Sequence, residues 1–215
     1  MLLEAVDLGF SYPGGRRILD EVSFGIAEGT LAGILGPNGS GKTTLLRLVA
    51  RTLRPSSGQI RLGGTDVSSL ARRTLARRLA VVPQETVLAF DYSVIEIVLM
   101  GRYPHLGAFE VEGPADLAAA RAALDATGTA DLADRPFRTL SGGEKQRVMI
   151  ASALAQLDDG DSSYAPVLLL DEPTASLDLR YQLEVAALLR RLHDRQHVTI
   201  VLTTHDLRFA ASVCT

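Results

Sequence analysis

An α/β domain whose mainly parallel sheet is interrupted by a helical subdomain is the architecture this sequence predicts, and three observations predict it. Short apolar runs alternate with longer amphipathic stretches, the rhythm of a sheet core flanked by helices. A glycine-rich octapeptide, Gly36 to Thr43, separates one apolar run from a helix-forming stretch. Between Gln84 and Asp161 the apolar runs give way to helical periodicity. The expected division is a single domain over 1–215, with a sheet core over 1–84 and 162–215 and a helical subdomain over 85–161.

Taken in order, residues 30–35 read as a buried strand, 36–41 as a loop, and 42–53 as a helix stopped by Pro55. Ser56, Ser57 and Gly58 read as a turn before a short strand over 59–62, which Gly63 and Gly64 close. Further buried strands are expected at 79–82, 167–170 and 198–203. Within the helical stretch, Ser93 and Glu96 form a capping-box pattern before residues 97–100. Pro114 suits a first helical turn, and Leu117, Ala120 and Leu124 recur at helical spacing until Gly128. Residues 158–163 read as a polar loop.

Composition narrows the function classes. The chain has 215 residues, 22 basic and 25 acidic, for a formal net charge of −3, which gives no reason to expect a nucleic-acid partner. Cys214 is the one cysteine, so no intramolecular disulfide can form and a reducing compartment fits. Glu4 and Asp7 interrupt any signal-peptide pattern, and no apolar run approaches the ~20 residues a spanning helix needs. A membrane role is therefore expected to come through a partner. Arg72, Arg73, Arg77 and Arg78 form a basic helical face, read as solvated.

The chemistry is carried by two segments. Gly36-Pro37-Asn38-Gly39-Ser40-Gly41-Lys42-Thr43 matches G-x-x-x-x-G-K-[ST], lies between a predicted strand and a predicted helix, and runs on into Thr44. Its glycines let backbone N–H groups turn toward phosphate oxygens, at a helix start whose dipole favours anions. Lys42 is expected to reach the β- and γ-phosphates, and the Thr43 hydroxyl to bind Mg²⁺. The second segment is the apolar run 167–170, which ends in Asp171 and Glu172. An acid held at a strand end can face Mg²⁺, and the next acid can polarise an attacking water as general base. These are the marks of a P-loop NTPase that uses ATP and Mg²⁺.

Leu140-Ser141-Gly142-Gly143-Glu144, upstream of that acidic strand, resembles the signature motif of ABC transporter ATPases. Other motifs of that family stand in order along essentially the whole chain. Tyr12 resembles the aromatic that stacks on adenine, and Gln84, after Val81-Val82-Pro83, resembles the Q-loop glutamine that senses Mg²⁺ and water. Ser176-Leu177-Asp178 is similar to the D-loop, and His205 after Thr203-Thr204 to the switch histidine that contacts the γ-phosphate and orients Glu172. The resemblance implies an ABC-type ATPase fold. It also implies a head-to-tail pair of chains, in which Ser141, Gly142 and Gly143 of one copy face the phosphate loop of the other.

The run from Ser93 to Leu106 resembles ABC importer ATPases for metal chelates: ferric siderophores, cobalamin and haem. In that group it meets the cytoplasmic coupling helices of a transmembrane permease, itself served by a substrate-binding protein. The resemblance thus puts the chain on the cytoplasmic face of the cell membrane. The long loop over 158–166 is a feature shared with haem importers, while members of the family usually continue past the point where this chain ends at Thr215. The alternatives are an ABC subunit for another substrate, a permease-free ABC ATPase acting on ribosomes or DNA ends, and a regulator that binds nucleotide without turnover. Intact Glu172 and His205 argue against the last.

Overall fold

The computed structural model describes residues 1–86, 88–158, 165–175, 177–196 and 198–214. Ser176 of the D-loop-like motif, and most of the long loop over 158–166, lie outside the described residues.

Among the described residues the chain builds two sheets. The first is antiparallel, in the order β2-β1-β4-β5: β1 is Leu3–Ser11, β2 Arg17–Ile26, β4 Ser57–Leu62 and β5 Thr65–Asp66. The second is parallel, in the order β3-β8-β7-β6: β3 is Leu31–Leu35, β6 Leu79–Val82, β7 Val167–Asp171 and β8 Thr199–Thr204. β7 reads Val-Leu-Leu-Leu-Asp because both of its faces are covered, so no polar alternation is needed. Leu168, Leu170, Ile200 and Leu202 pack into one core. Val167, Leu169 and Val201 pack into the other, together with β1, β4 and helix α1 (Lys42–Val49). Each fully buried leucine in these layers contributes roughly 1.5–3 kcal/mol relative to exposure.

The strands predicted at 79–82, 167–170 and 198–203 form within a residue of those bounds, whereas β1 and β2 have no counterpart in the sequence reading. Helix α1 stops at Val49, short of the expected Leu53, because Arg51 takes a left-handed φ of 56°. The Arg51 and Thr52 N–H groups close the turn on the Leu48 and Arg47 carbonyls. Ser57 and Gly58, expected in a turn, belong to β4. Gly58 sits there at φ 77° with a Cβ position 2.4 Å from the Val6 and Asp7 carbonyl oxygens, so glycine is required.

Between β6 and β7 lie α3 (Val94–Met100), α4 (Pro114–Thr127) and α5 (Gly142–Leu157). The Ser93–Glu96 box opens α3 as predicted, with the Ser93 N–H donating to Glu96 Oε2 at 2.7 Å. Pro114 begins α4, and Gly128 ends it at φ 65°. Ala120 and Leu124 are buried on the face that meets the other helices. α3 reaches α5 so closely that a Cβ on Gly101 would stand 2.2 Å from the Ser152 carbonyl oxygen.

The basic face is corrected in part: Arg72 and Arg73 are exposed as read, while Arg77 is half-buried and Arg78 is buried. In α2 (Arg72–Arg78), Arg73 and Arg77 donate through Nε to the Pro104 carbonyl at 2.6 and 2.9 Å, and Arg78 is buried. Arg73 and Arg77 do structural work because the 3-10 turn over Tyr103–His105 presents the Pro104 carbonyl to them. The same turn is pinned from its other side. His105 Nε2 lies 2.8 Å from the Gln156 carbonyl, and buried Arg102 donates to the Ala155 and Asp158 carbonyls and, at 3.0 Å, to Asp116 Oδ1.

Asp116 also accepts from the Gly113 N–H at 3.0 Å, and this bond, more than Arg102, holds its carboxyl below the usual carboxylate range. With the folded value depressed, the contribution is present above the unfolded pKa and is lost as pH falls through the folded one. Asp116→Asn should therefore lower the melting temperature by roughly 3–8 °C at pH 7. The gap from the parent chain should narrow as pH falls through and below the ordinary aspartate range, and calorimetry from neutral to acid pH reads it.

Candidate functional site

The loop from Gly36 to Gly41 turns between β3 and α1, with Gly39 at φ 79° and Gly41 at φ 96°. A Cβ on Gly36 would stand 2.7 Å from Ser40 Oγ, so a side chain there would push the Ser40 hydroxyl out of its present place. Lys42 starts the helix, and its ammonium folds back into the loop. It donates to the Gly36 carbonyl at 2.8 Å and the Pro37 carbonyl at 3.0 Å, and pairs with Glu172 Oε1 at 3.0 Å. Those contacts use all three ammonium protons. The pair is nearly dry, with side-chain exposures of 6% for Lys42 and 10% for Glu172.

Glu172 follows the last residue of β7, in a left-handed conformation at φ 46°. For a residue with a Cβ that backbone costs roughly 1–2 kcal/mol, so the surroundings must hold it. Its second carboxylate oxygen lies 3.0 Å from His205 Nδ1. An ionised carboxylate only accepts, so Nδ1 carries the proton in this contact. Lys42, Glu172 and His205 thus form one continuous hydrogen-bonded chain. The buried Thr203 hydroxyl donates to Asp171 Oδ1 at 2.7 Å and accepts from the Glu172 N–H at 2.9 Å.

Two clefts open beside this chain. One, of about 730 Å³, is lined by Thr43, Gln84 and Asp171 among others. The other, of about 300 Å³, is lined by Asn38, Gln84, Glu172 and His205, among others. Gln84 faces both. A hydroxyl, an amide and one carboxylate around a single cleft make an oxygen set of the kind a hard cation takes when substrate phosphates complete its shell. Among the described residues no cluster of three or more His, Cys, Asp or Glu could hold a metal by itself.

The structure brings Thr43, Gln84, Asp171, Glu172 and His205 to the walls of these clefts, with Lys42 held against Glu172. Tyr12 and Thr44 touch each other just past the loop: the Tyr12 hydroxyl is 3.2 Å from Thr44 Oγ1, and its ring meets Phe10 edge-on at 4.9 Å. Ser141, Gly142 and Gly143 line neither cleft. They begin α5, where Ser141 Oγ donates to Glu144 Oε2 at 2.8 Å and the Ser141 N–H donates to the same oxygen at 2.7 Å. Led by the backbone bond, these two hold the Glu144 carboxyl below its usual range. A Cβ on Gly143 would stand 2.4 Å from the Tyr181 ring, so that glycine is also a packing requirement. Asp178 caps α6 (Leu179–Gln196), accepting from the Tyr181 N–H at 3.1 Å.

Thr203, and the Arg102 contacts to Asp116 and the end of α5, escaped the sequence reading. A threonine two residues before a motif histidine, at the end of an apolar strand, was the available signal for the first. Arg102 has no such signal, since its partners lie far away along the chain.

A glycine loop at a helix start, facing two acids at the end of a parallel strand, defines a phosphate-binding nucleotide cassette. The chain belongs to the ABC transporter family, whose model matches residues 19–175. It is 44% identical to the cobalamin import ATP-binding protein BtuD of Halobacterium salinarum over 200 residues, 93% of this chain and 48% of that protein. It is 45% identical to the hemin import ATP-binding protein HmuV of Myxococcus xanthus over 201 residues, 92% of this chain and 73% of that one. This chain thus spans about half the length of the halobacterial relative. A bacterial ABC transporter cassette solved as a dimer superposes with a TM-score of 0.81 at 27% identity, covering 98% of this chain and 91% of the other. No helix among the described residues is long and apolar enough to cross a membrane.

The contact of Tyr12 with Thr44 leads to a test. If its ring carries adenine, Tyr12→Ala should weaken ATP binding by roughly 5- to 150-fold, the range set by ~1–3 kcal/mol of stacking. Tyr12→Phe, which keeps the ring and loses the Thr44 contact, should stay within about 3-fold by the same reckoning. Equilibrium titration with a fluorescent ATP analogue measures both.

Proposed function

We propose that this chain is the ATP-hydrolysing subunit of a membrane importer for a metal chelate, working as a head-to-tail pair at the cytoplasmic face of a transmembrane permease. The observation that carries the enzymatic part is the Lys42–Glu172–His205 chain beside the phosphate loop. It joins a phosphate-binding cation, a carboxylate at the right place for a general base, and an imidazole that orients it.

In this reading the amides of Gly39 to Thr43 cradle the phosphates of ATP, and Tyr12 supports the adenine. The Lys42 ammonium exchanges its Glu172 contact for phosphate oxygens, which frees the carboxylate to take a proton from water. His205 keeps one carboxylate oxygen in place and reaches the γ-phosphate through its other ring nitrogen. Thr43, Gln84 and Asp171 are the residues that would hold Mg²⁺, which offsets the charge gathering on the phosphate oxygens when bound. Gln84, facing both clefts, reports on that site to the helices that follow it.

The pair of chains follows from what one chain lacks. Ser141, Gly142 and Gly143 have anion-binding chemistry at a helix start but line neither cleft of their own chain. A two-fold arrangement sets them, with the Asp178 segment, against the phosphate loop of the other copy and closes two sites at once. The dimeric cassette that this chain resembles supports the pairing of two chains.

Transport coupling falls on the Ser93–Leu106 segment. There Tyr103 is 57% exposed while neighbouring Arg102 is buried, so the turn presents an aromatic from a rigid base. Cobalamin and hemin in the names of the relatives support a metal chelate as cargo, delivered by a substrate-binding protein.

Glu172→Gln keeps the shape and removes the base. It should bind ATP, hydrolyse it at least ~100-fold more slowly, and accumulate as an ATP-bound dimer. Steady-state phosphate release and sedimentation in ATP test both, and near-normal turnover would remove Glu172 from the role.

A further inference from the structure

Thr203 is fully buried, although it is polar, near the end of β8. The parallel register pairs it with Asp171, which places its hydroxyl across from the end of β7. A hydroxyl has one proton and two lone pairs. The proton goes to Asp171 Oδ1 at 2.7 Å, so only a lone pair is available for the Glu172 N–H at 2.9 Å, and both contacts have a fixed polarity. As a β-branched residue Thr203 has a stiff χ1, so the hydroxyl cannot swing away without breaking both bonds.

Its second partner is the residue under strain. Glu172 sits at φ 46°, a conformation an L-residue leaves when nothing holds it. If the peptide relaxed toward ordinary extended backbone, the carboxylate would leave its place between Lys42 Nζ and His205 Nδ1, each now 3.0 Å away. One hydroxyl on the neighbouring strand therefore restrains two consecutive acids, the first by its side chain and the second by its backbone.

We propose that Thr203 is a positioning residue for ATP hydrolysis: its hydroxyl holds Asp171 and Glu172 in the orientation the reaction needs and touches neither nucleotide nor water itself. The inference rests on the ATPase reading above and gives a role to a residue that the sequence reading names only as the lead-in to His205. A threonine that merely filled the sheet would be replaceable by valine, which has nearly the same shape.

The test compares Thr203→Val, Thr203→Ser and Thr203→Ala with the parent chain. For each, kcat and KM for ATP, the Mg²⁺ concentration giving half-maximal rate, and the melting temperature are measured. Thr203→Val should lose roughly 10- to 100-fold in kcat, the cost of a displacement of about 1 Å at a reacting group. Its KM for ATP should change by less than about 3-fold, because the phosphate loop is untouched. The Mg²⁺ requirement should rise as Asp171 loses its restraint. Thr203→Ser, which keeps the hydroxyl, should recover kcat to within about 3-fold of the parent. A valine chain that folds and turns over ATP at the parent rate would overturn the proposal, as would a kcat loss that serine fails to rescue. If the valine chain does not fold, serine and alanine decide: a large kcat gap between them supports the proposal and equal rates overturn it. A parent chain without ATP turnover would sink the ATPase reading, and this inference with it.

Discussion

The parallel pairing of β7 with β8 is the constraint on which the rest of the site depends. It aligns Asp171 with Thr203, so the two acids that end one strand meet a hydroxyl on the next. It also delivers His205, two residues on, within 3.0 Å of Glu172. Because β7 is buried on both faces, a slide by one residue would move Leu168 and Leu170 into the layer that holds Val167 and Leu169, and would carry the Asp171 side chain to the opposite face of the sheet. The register that serves the hydrophobic layers therefore also fixes the spacing of the charged groups. Lys42 reaches the same point from β3, on the other side of β8 in the sheet.

A dry Lys42–Glu172 pair is a device as well as a contact. Breaking such a pair from one side leaves a buried charge, at roughly 3–5 kcal/mol. A polyanionic ligand avoids that cost only by giving Lys42 another anion and Glu172 another proton donor. Under the proposed reading, triphosphate and water supply those two. The exchange ties release of the general base to the arrival of substrate.

Much of this was legible in the sequence, for physical reasons that differ by segment. The parallel strands were readable because burial on both faces forces continuous apolar runs, as in Val167 to Leu170. The phosphate loop was readable because a closely turned anion cradle accepts few residues other than glycine. β1 and β2 were not readable, since left-handed Asp7 and Glu21 interrupt the alternation that marks a strand. In β1 the buried set passes from Leu3 and Ala5 to Leu8 and Phe10, with the phase shifted at Asp7. The basic face of α2 was read as solvated, which holds for Arg72 and Arg73, but charge alone does not reveal that the Pro104 carbonyl takes donors from Arg73 and Arg77. Gly143 was read for its backbone, while the structure adds a steric demand from Tyr181 that only the fold could disclose.

The central claim is that one chain holds half of each catalytic site, with Lys42 on its own side and Ser141 serving the other copy. Mixing two inactive chains, Lys42→Ala and Ser141→Arg, tests it most directly. In a mixed pair one site carries both lesions and the other carries neither. ATPase activity should therefore be absent from each chain alone and appear on mixing, peaking near equal amounts. No activity at any mixing ratio, or full activity from parent chains that sediment as monomers in ATP, would contradict the account.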